Sequence, residues 1–198
     1  MAAARESLLD AAFAALARRP WSAVRMVEVA AAAGVSRQTL YNEFGGKDGL
    51  ARALVRREAD GYLAGVERAL AAGGGTWERL TAIAEWTATA ARDNALVRAL
   101  LTGCWSERLP APPRASASPV PAQRRAEKPL PSPPDLVRMV RDRAVTALSG
   151  PGTGPAATVE LARSCELVVR LALSCVAAPP GRGGVAELVR ALAPRPTV

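Results

Sequence analysis

Polar side chains that form directed hydrogen bonds are concentrated between residues 36 and 47. This segment, SRQTLYNEFGGK, holds an arginine and a glutamine, the side chains best matched to the edges of guanine and adenine. We therefore predict that it binds DNA. The residues predicted to face the groove are Arg37, Gln38, Thr39, Tyr41 and Asn42, and Ser36 is a further predicted DNA-binding residue. Lys47 is the predicted phosphate contact, because it opens the next predicted helix, where backbone N–H groups are free.

The residues around this cluster predict a helix, a tight turn and a second helix. Gly34 interrupts an apolar helical run, and glycine adopts the left-handed conformation that a sharp turn after a helix needs. Ser36 is a suitable N-cap for a helix over residues 37–43. At helical spacing Leu40 and Phe44 share one face, and the polar residues lie on another. This layout is typical of a helix-turn-helix whose second helix reads the DNA major groove.

At these residues the chain resembles the TetR family of one-component transcriptional regulators. The resemblance rests on AAAGVSRQTLYNEFGGKDGL, residues 31–50, and extends back through RESLLDAAFAAL, residues 5–16, a predicted first helix. It implies that Arg25 stands where the family often has a phosphate-binding threonine. It also implies a phosphate near Arg5, for which a solvated side chain is the alternative.

The fold class that the resemblance implies is all-α, and abundant alanine with only 4% aromatic residues also favours helices. We expect an N-terminal three-helix helix-turn-helix DNA-binding domain over residues 1–46. A C-terminal helical domain for ligand binding and dimerisation is expected over residues 47–198. Within it, residues 106–134 are rich in proline and predict a flexible loop, which acts either as a solvated linker or as a DNA contact.

The resemblance further implies a homodimer on a palindromic DNA operator, and a repressor released by a small hydrophobic effector. Two closing helices, near residues 156–178 and 184–193, are the predicted dimer interface, and the first is apolar nearly all round in its second half. An ordinary buried core helix is the alternative. The predicted interface residues are Val168, Leu171, Cys175, Leu188 and Leu192.

Large or polarisable side chains stand out in a C-terminal part built mainly from alanine, leucine and valine. Such side chains pack irregular space well and suit a pocket for a mostly apolar ligand, neutral or anionic. Plain core packing is the competing interpretation of each. The predicted pocket residues are Trp86, Cys104, Trp105, Met139 and Cys165.

The composition argues against several other classes of protein. The chain has no histidine, which excludes Ser–His and Cys–His catalytic pairs and imidazole metal sites. Its three cysteines have no metal-ligand spacing; reduced buried thiols are expected, with a redox sensor as the alternative. We therefore expect no cofactor, no metal and no enzymatic activity. Without a run of 18 apolar residues or a secretory signal, the protein is expected to be cytoplasmic and to bind no membrane.

The formal net charge of +8 is weak evidence for DNA binding. Residues 1–60 carry nine basic and seven acidic side chains, so most of the excess lies outside the predicted DNA-binding part. A DNA-bending structural protein is a further alternative, but it needs no second helical core. The favoured interpretation is a DNA-binding regulator with an effector pocket.

Overall fold

The computed structural model describes residues 2–111, 129–150, 152–181 and 183–193, and every regular element within these ranges is helical. A single 3-10 turn spans Trp21–Ala23. The α-helices of the described residues are α1 Ala2–Arg18, α2 Met26–Ala32, α3 Arg37–Phe44, α4 Lys47–Ala71, α5 Thr76–Asp93, α6 Ala95–Thr102, α7 Pro133–Leu148, α8 Pro155–Ala177 and α9 Gly184–Leu192. The predicted all-α class is confirmed. None of the described helices is long and apolar enough to span a membrane.

The chain packs as two compact units. The N-terminal unit comprises residues 1–58 and 105–130, and the C-terminal unit comprises residues 59–104 and 131–198. The division falls inside α4, whereas the predicted functional division after residue 46 stays a prediction.

The N-terminal unit is built from α1, α2, α3 and the first half of α4 around a small apolar core. Trp21, which follows α1, is only 8% exposed and covers that core. Its backbone N–H donates to the carbonyl of Arg108 at 2.8 Å, and Pro110 is buried. Residues 106–111 are therefore held against this unit, in contrast to the flexible loop expected from residue 106. Residues 112–128 of that expected loop lie outside the described residues. The largest fully buried side chains of this unit are Leu8, Val29, Leu40, Leu50, Leu54 and Val55.

The C-terminal unit has α5 in contact with α8 and α9, and α7 in contact with α8. Its core contains one buried polar pair, in which the hydroxyls of Tyr62 and Thr87 lie 3.0 Å apart. Burial raises the pKa of Tyr62 to about 12, against the opposing effect of the Thr87 hydrogen bond. Cys165 is fully buried, and burial likewise raises the pKa of its thiol to about 12. Its environment therefore fits the expected reduced thiol, since thiolate is the reactive form.

Helix α4 and helix α5 approach closely where α4 lacks a side chain. A Cβ added to Gly65 would lie 2.0 Å from the ring of Trp86. The Trp86 indole N–H donates to the carbonyl of Tyr62 at 3.0 Å, which fixes the ring over this glycine. Gly61, one turn earlier on α4, has open space around its Cα. Only one of these two helical glycines is therefore required for packing.

We predict that Gly65→Ala lowers the free energy of unfolding by about 1–3 kcal/mol, because the added methyl group displaces Trp86. The matched change Gly61→Ala is expected to raise it by about 0.5–1 kcal/mol, because alanine favours a helix more than glycine does. Urea unfolding followed by circular dichroism measures both changes. Equal effects of the two variants would contradict the close contact.

Candidate nucleic-acid interface

Local hydrogen bonds and apolar contacts define the conformation of α3. Gly34 has φ 68°, the left-handed conformation predicted for the turn. The backbone N–H of Thr39 donates to Ser36 Oγ at 3.0 Å, so the predicted N-cap is formed. On the inner face, Leu40 is fully buried and Phe44 is 9% exposed. These contacts leave the opposite face of α3 open to solvent.

The open face carries the predicted polar residues, all of them exposed. Arg37, Gln38, Thr39, Tyr41 and Asn42 lie there, and Tyr41 is 37% exposed. Two pairs form along the helix: Gln38 Nε2 donates to Asn42 Oδ1 at 2.8 Å, and the Arg37 guanidinium lies 5.3 Å from the Tyr41 ring centre. The structure therefore brings five hydrogen-bonding side chains onto one surface, with a geometry that suits contact with base edges.

Arg5 links α1 to the far end of α3. Its Nη1 lies 2.7 Å from Glu43 Oε1, and its guanidinium lies 4.9 Å from the Phe44 ring centre. We expected Arg5 either to contact a phosphate or to be solvated. Neither expectation included its interactions with Glu43 and Phe44. The partners lie 38 residues apart in the chain, so local sequence patterns gave no signal for them. Arg5 therefore supports the position of α3.

The junction between α3 and α4 is closely packed. Gly45 is in the left-handed conformation, with φ 70°. A Cβ on Gly49 would lie only 1.8 Å from the carbonyl oxygen of Phe44, so the first turn of α4 directly contacts the end of α3. Lys47 begins α4 in this turn, and its position relative to α3 is fixed by the contact.

Lys47 contacts the segment between α1 and α2, and Arg25 ends that segment. Lys47 Nζ donates to the carbonyl of Ser22 at 2.9 Å and lies 5.7 Å from the Trp21 ring centre. Arg25 is exposed at the N-cap of α2, and its side chain makes no capping hydrogen bond. Both cations retain N–H groups for a further acceptor, as a phosphate contact requires.

The predicted effector-pocket residues do not all belong to one unit. Trp105 lies in the N-terminal unit, beyond the end of α6 at Thr102, where Gly103 takes φ 74°. Trp86, Cys104, Met139 and Cys165 belong to the C-terminal unit. There Cys104 is exposed, Cys165 is buried, and Trp86 packs on α4. A pocket within the C-terminal unit therefore does not include Trp105.

The predicted dimer-interface residues divide into buried and exposed groups. Val168 is fully buried and Cys175 is 7% exposed, so both face the core of the single chain. Their side chains cannot form an intermolecular surface without opening that core. Leu188 and Leu192 are 40% and 47% exposed, and Leu171 is half-buried. Two further apolar residues of α8, outside the predicted interface set, are exposed: Val159 at 52% and Leu167 at 60%.

Together these elements define an all-α protein with an N-terminal helix-turn-helix of the DNA-binding type. Residues 8–54 match the family model of the bacterial regulatory proteins of the tetR family. The helix-turn-helix part of the chain is therefore of the TetR family type.

A curated protein is similar to about half of this chain. The chain is 44% identical over 101 residues to the HTH-type transcriptional regulator AlkX of Mycobacterium tuberculosis (strain ATCC 25618 / H37Rv). This alignment covers 50% of the chain and 47% of AlkX, so the chain spans about half the length of this curated relative.

Two crystal structures share the fold. The TetR family repressor AlkX from Dietzia sp. strain DQ12-45-1b has a TM-score of 0.50 and 22% identity, with 95% of this chain and 92% of that chain covered. A tetR-family transcriptional regulator from Streptomyces coelicolor has a TM-score of 0.55 and 21% identity, with 97% and 78% covered. At these identities the likeness concerns the helical fold alone.

We predict that Glu43→Gln weakens DNA binding about two- to fivefold, although it removes a negative charge from α3, because Arg5 loses the partner that supports this helix. Fluorescence anisotropy with a selected DNA site measures the change. Glu6→Gln removes an equal charge from an exposed position on α1 and serves as the control. Tighter binding by Glu43→Gln would show that Arg5 acts instead by direct attraction to phosphate.

Proposed function

We propose that this protein is a transcriptional repressor that binds a palindromic DNA operator as a homodimer and is released by a small hydrophobic effector. The observation that carries the proposal is the exposed face of α3, where five hydrogen-bonding side chains stand opposite a buried apolar face. Such a helix presents donors and acceptors at fixed positions, which direct reading of bases requires.

Within this function Arg37 and Gln38 read base edges, and Tyr41 and Lys47 position α3 on the DNA. Arginine pairs with guanine and glutamine with adenine through two hydrogen bonds each. The Gln38–Asn42 hydrogen bond and the Arg37–Tyr41 contact already restrict these side chains. Less conformational entropy is therefore lost when DNA binds. Lys47 and Arg25 bind phosphates, which carry affinity but no sequence information.

The proposed dimer forms through the exposed apolar residues of the two closing helices. Val159 and Leu167 on α8, and Leu188 and Leu192 on α9, are each at least 40% exposed in the single chain. Exposed apolar side chains favour association when a partner covers them, and a two-fold dimer presents the same surface from both protomers. Val168 and Cys175 take no direct part, since the core of their own chain buries them. Two-fold symmetry in turn requires a palindromic operator.

Effector release follows from a difference in affinity between two conformations. A ligand shifts the protein away from DNA only if it binds the non-DNA-binding state more tightly. Helix α4 is 25 residues long, begins at Lys47 and ends at Ala71, which belongs to the C-terminal unit. A ligand that displaces the C-terminal half of α4 thereby changes the position of Lys47.

Selection of a binding site from random DNA, followed by a gel shift with the purified protein, tests the proposed function. A symmetric consensus with two half-sites supports it, and retention of DNA without any sequence preference contradicts it. The second outcome would favour the DNA-bending structural alternative. Reporter expression under the selected site then distinguishes repression from activation.

We predict that Lys47→Ala weakens binding to all sequences alike and reduces the slope of log affinity against log salt by about 1, because one phosphate contact is lost. Arg37→Ala, the matched change on the base-reading face, is expected to relax the preferred sequence. Repeating the site selection with each variant measures the preference. A changed consensus for Lys47→Ala would contradict its assignment to phosphate.

We predict that Leu188→Asp raises the dimer dissociation constant at least about tenfold, because the carboxylate loses water at the apolar interface. Light scattering at micromolar concentration and a gel shift measure dimer content and operator binding together. Thr89→Asp introduces the same charge at an exposed position of α5 and should leave both unchanged. A monomeric wild-type protein that binds the operator would exclude the proposed dimer.

A further inference from the structure

A groove of about 590 Å³ lies within the C-terminal unit, between the end of α4, the start of α5 and the second half of α7. Its volume falls in the range of small-molecule sites. None of the residues predicted as effector lining belongs to this groove. Its lining comprises Glu67, Leu70, Ala71, Arg79, Asp142, Arg143, Thr146 and Ala147.

The charged side chains of the groove differ in whether they have partners. Arg143 Nε lies 2.9 Å from Glu67 Oε1, and Asp142 is paired with Arg141, on the same helix, at 2.8 Å. The Arg79 side chain is half-buried, and its Nε is buried with no hydrogen-bond partner in the part of the chain that the structure describes. Arg79 is therefore the one groove cation whose buried donor lacks an acceptor among the described residues.

A buried Arg79 Nε without an acceptor is unfavourable at this position for two reasons. A buried donor without an acceptor loses its hydrogen bonds to water and gains none in return. Arg79 also lies near the start of α5, the positive end of the helix dipole, where a cation is disfavoured. Because arginine stays charged in proteins, it cannot relieve this cost by losing a proton. An anion bound in the groove relieves both.

We propose that this groove binds an organic monocarboxylate with an apolar chain. The carboxylate pairs with the Arg79 guanidinium, whose planar fork matches two carboxylate oxygens. The chain lies along Leu70, Ala71 and Ala147. As the effector site of a regulator this assignment rests on the proposed function, whereas the binding itself does not.

The other charges of the groove restrict the ligand to a single negative charge. Glu67 and Asp142 place two further carboxylates along its lining. Because those two carboxylates are paired with Arg143 and Arg141, the charge left for a ligand is that of Arg79, which a monocarboxylate balances and a doubly charged phosphate does not. A cationic ligand would be repelled by Arg79, and a neutral one would leave its Nε without an anionic acceptor. The lining therefore selects the monocarboxylate.

Isothermal titration calorimetry of the full chain with octanoate tests this proposal, with octan-1-ol as the neutral probe. We expect octanoate to bind the wild-type protein more tightly than octan-1-ol. Arg79→Gln should weaken octanoate binding about ten- to a hundredfold, the range for hydrogen bonds to charged groups, and leave octan-1-ol unchanged. Arg138→Gln removes an exposed arginine of α7 outside the groove and should leave octanoate binding unaltered.

A second variant, Ala147→Phe, fills the groove from its exposed α7 side and should also weaken octanoate binding. Circular dichroism melting establishes that each variant is folded. Absence of octanoate binding to the wild-type protein overturns the proposal. So does unchanged octanoate affinity in Arg79→Gln, or equal wild-type affinity for octanoate and octan-1-ol. Operator binding is measured separately without octanoate, so a protein that binds no operator contradicts the proposed function and leaves the groove assignment standing.

Discussion

The close contact between the end of α3 and the first turn of α4 is the constraint on which the DNA-binding surface depends. It exists because Gly49 has no side chain where the carbonyl oxygen of Phe44 approaches. The contact fixes Lys47 relative to α3, and the buried Phe44 ring fixes α3 against its own unit. Base-reading and phosphate-binding groups are thus held in one rigid arrangement, which is what discrimination between sequences requires.

Charge is distributed differently in the two units. In the N-terminal unit, Arg5 has an acidic partner, and Lys47 donates to a backbone carbonyl and lies beside an aromatic ring. The exposed face of α3 is polar more than it is charged, so specificity there comes from hydrogen-bond geometry. In the C-terminal unit, Arg79 retains a buried donor without a partner among the described residues. Uncompensated charge in a groove costs free energy in the absence of a ligand, and a ligand that supplies the compensation gains that amount in affinity.

Packing within the chain determines which residues of the closing helices, α8 and α9, are buried and which are exposed. Helix α8 packs against α5 and α7 within the chain, and its buried residues include Val168, Val169 and Ala172. The residues left exposed, such as Leu167, lie outside that covered part. Exposed apolar side chains such as this one favour association when a second copy covers them, which is why the assembly proposed above involves α8 and α9.

The sequence alone determined the features that short-range physics controls: the glycine turn at Gly34, the cap at Ser36, the inward side of Leu40, and the all-α class. Each depends on residues within four positions along the chain. The tertiary structure alone decided the partner of Arg5, 38 residues away, and the inward orientation of Val168. It also decided the assignment of Trp105 to the N-terminal unit and the groove at Arg79. A helix that is apolar all round does not indicate which face meets its own core, and contacts between distant residues follow only from how the helices pack.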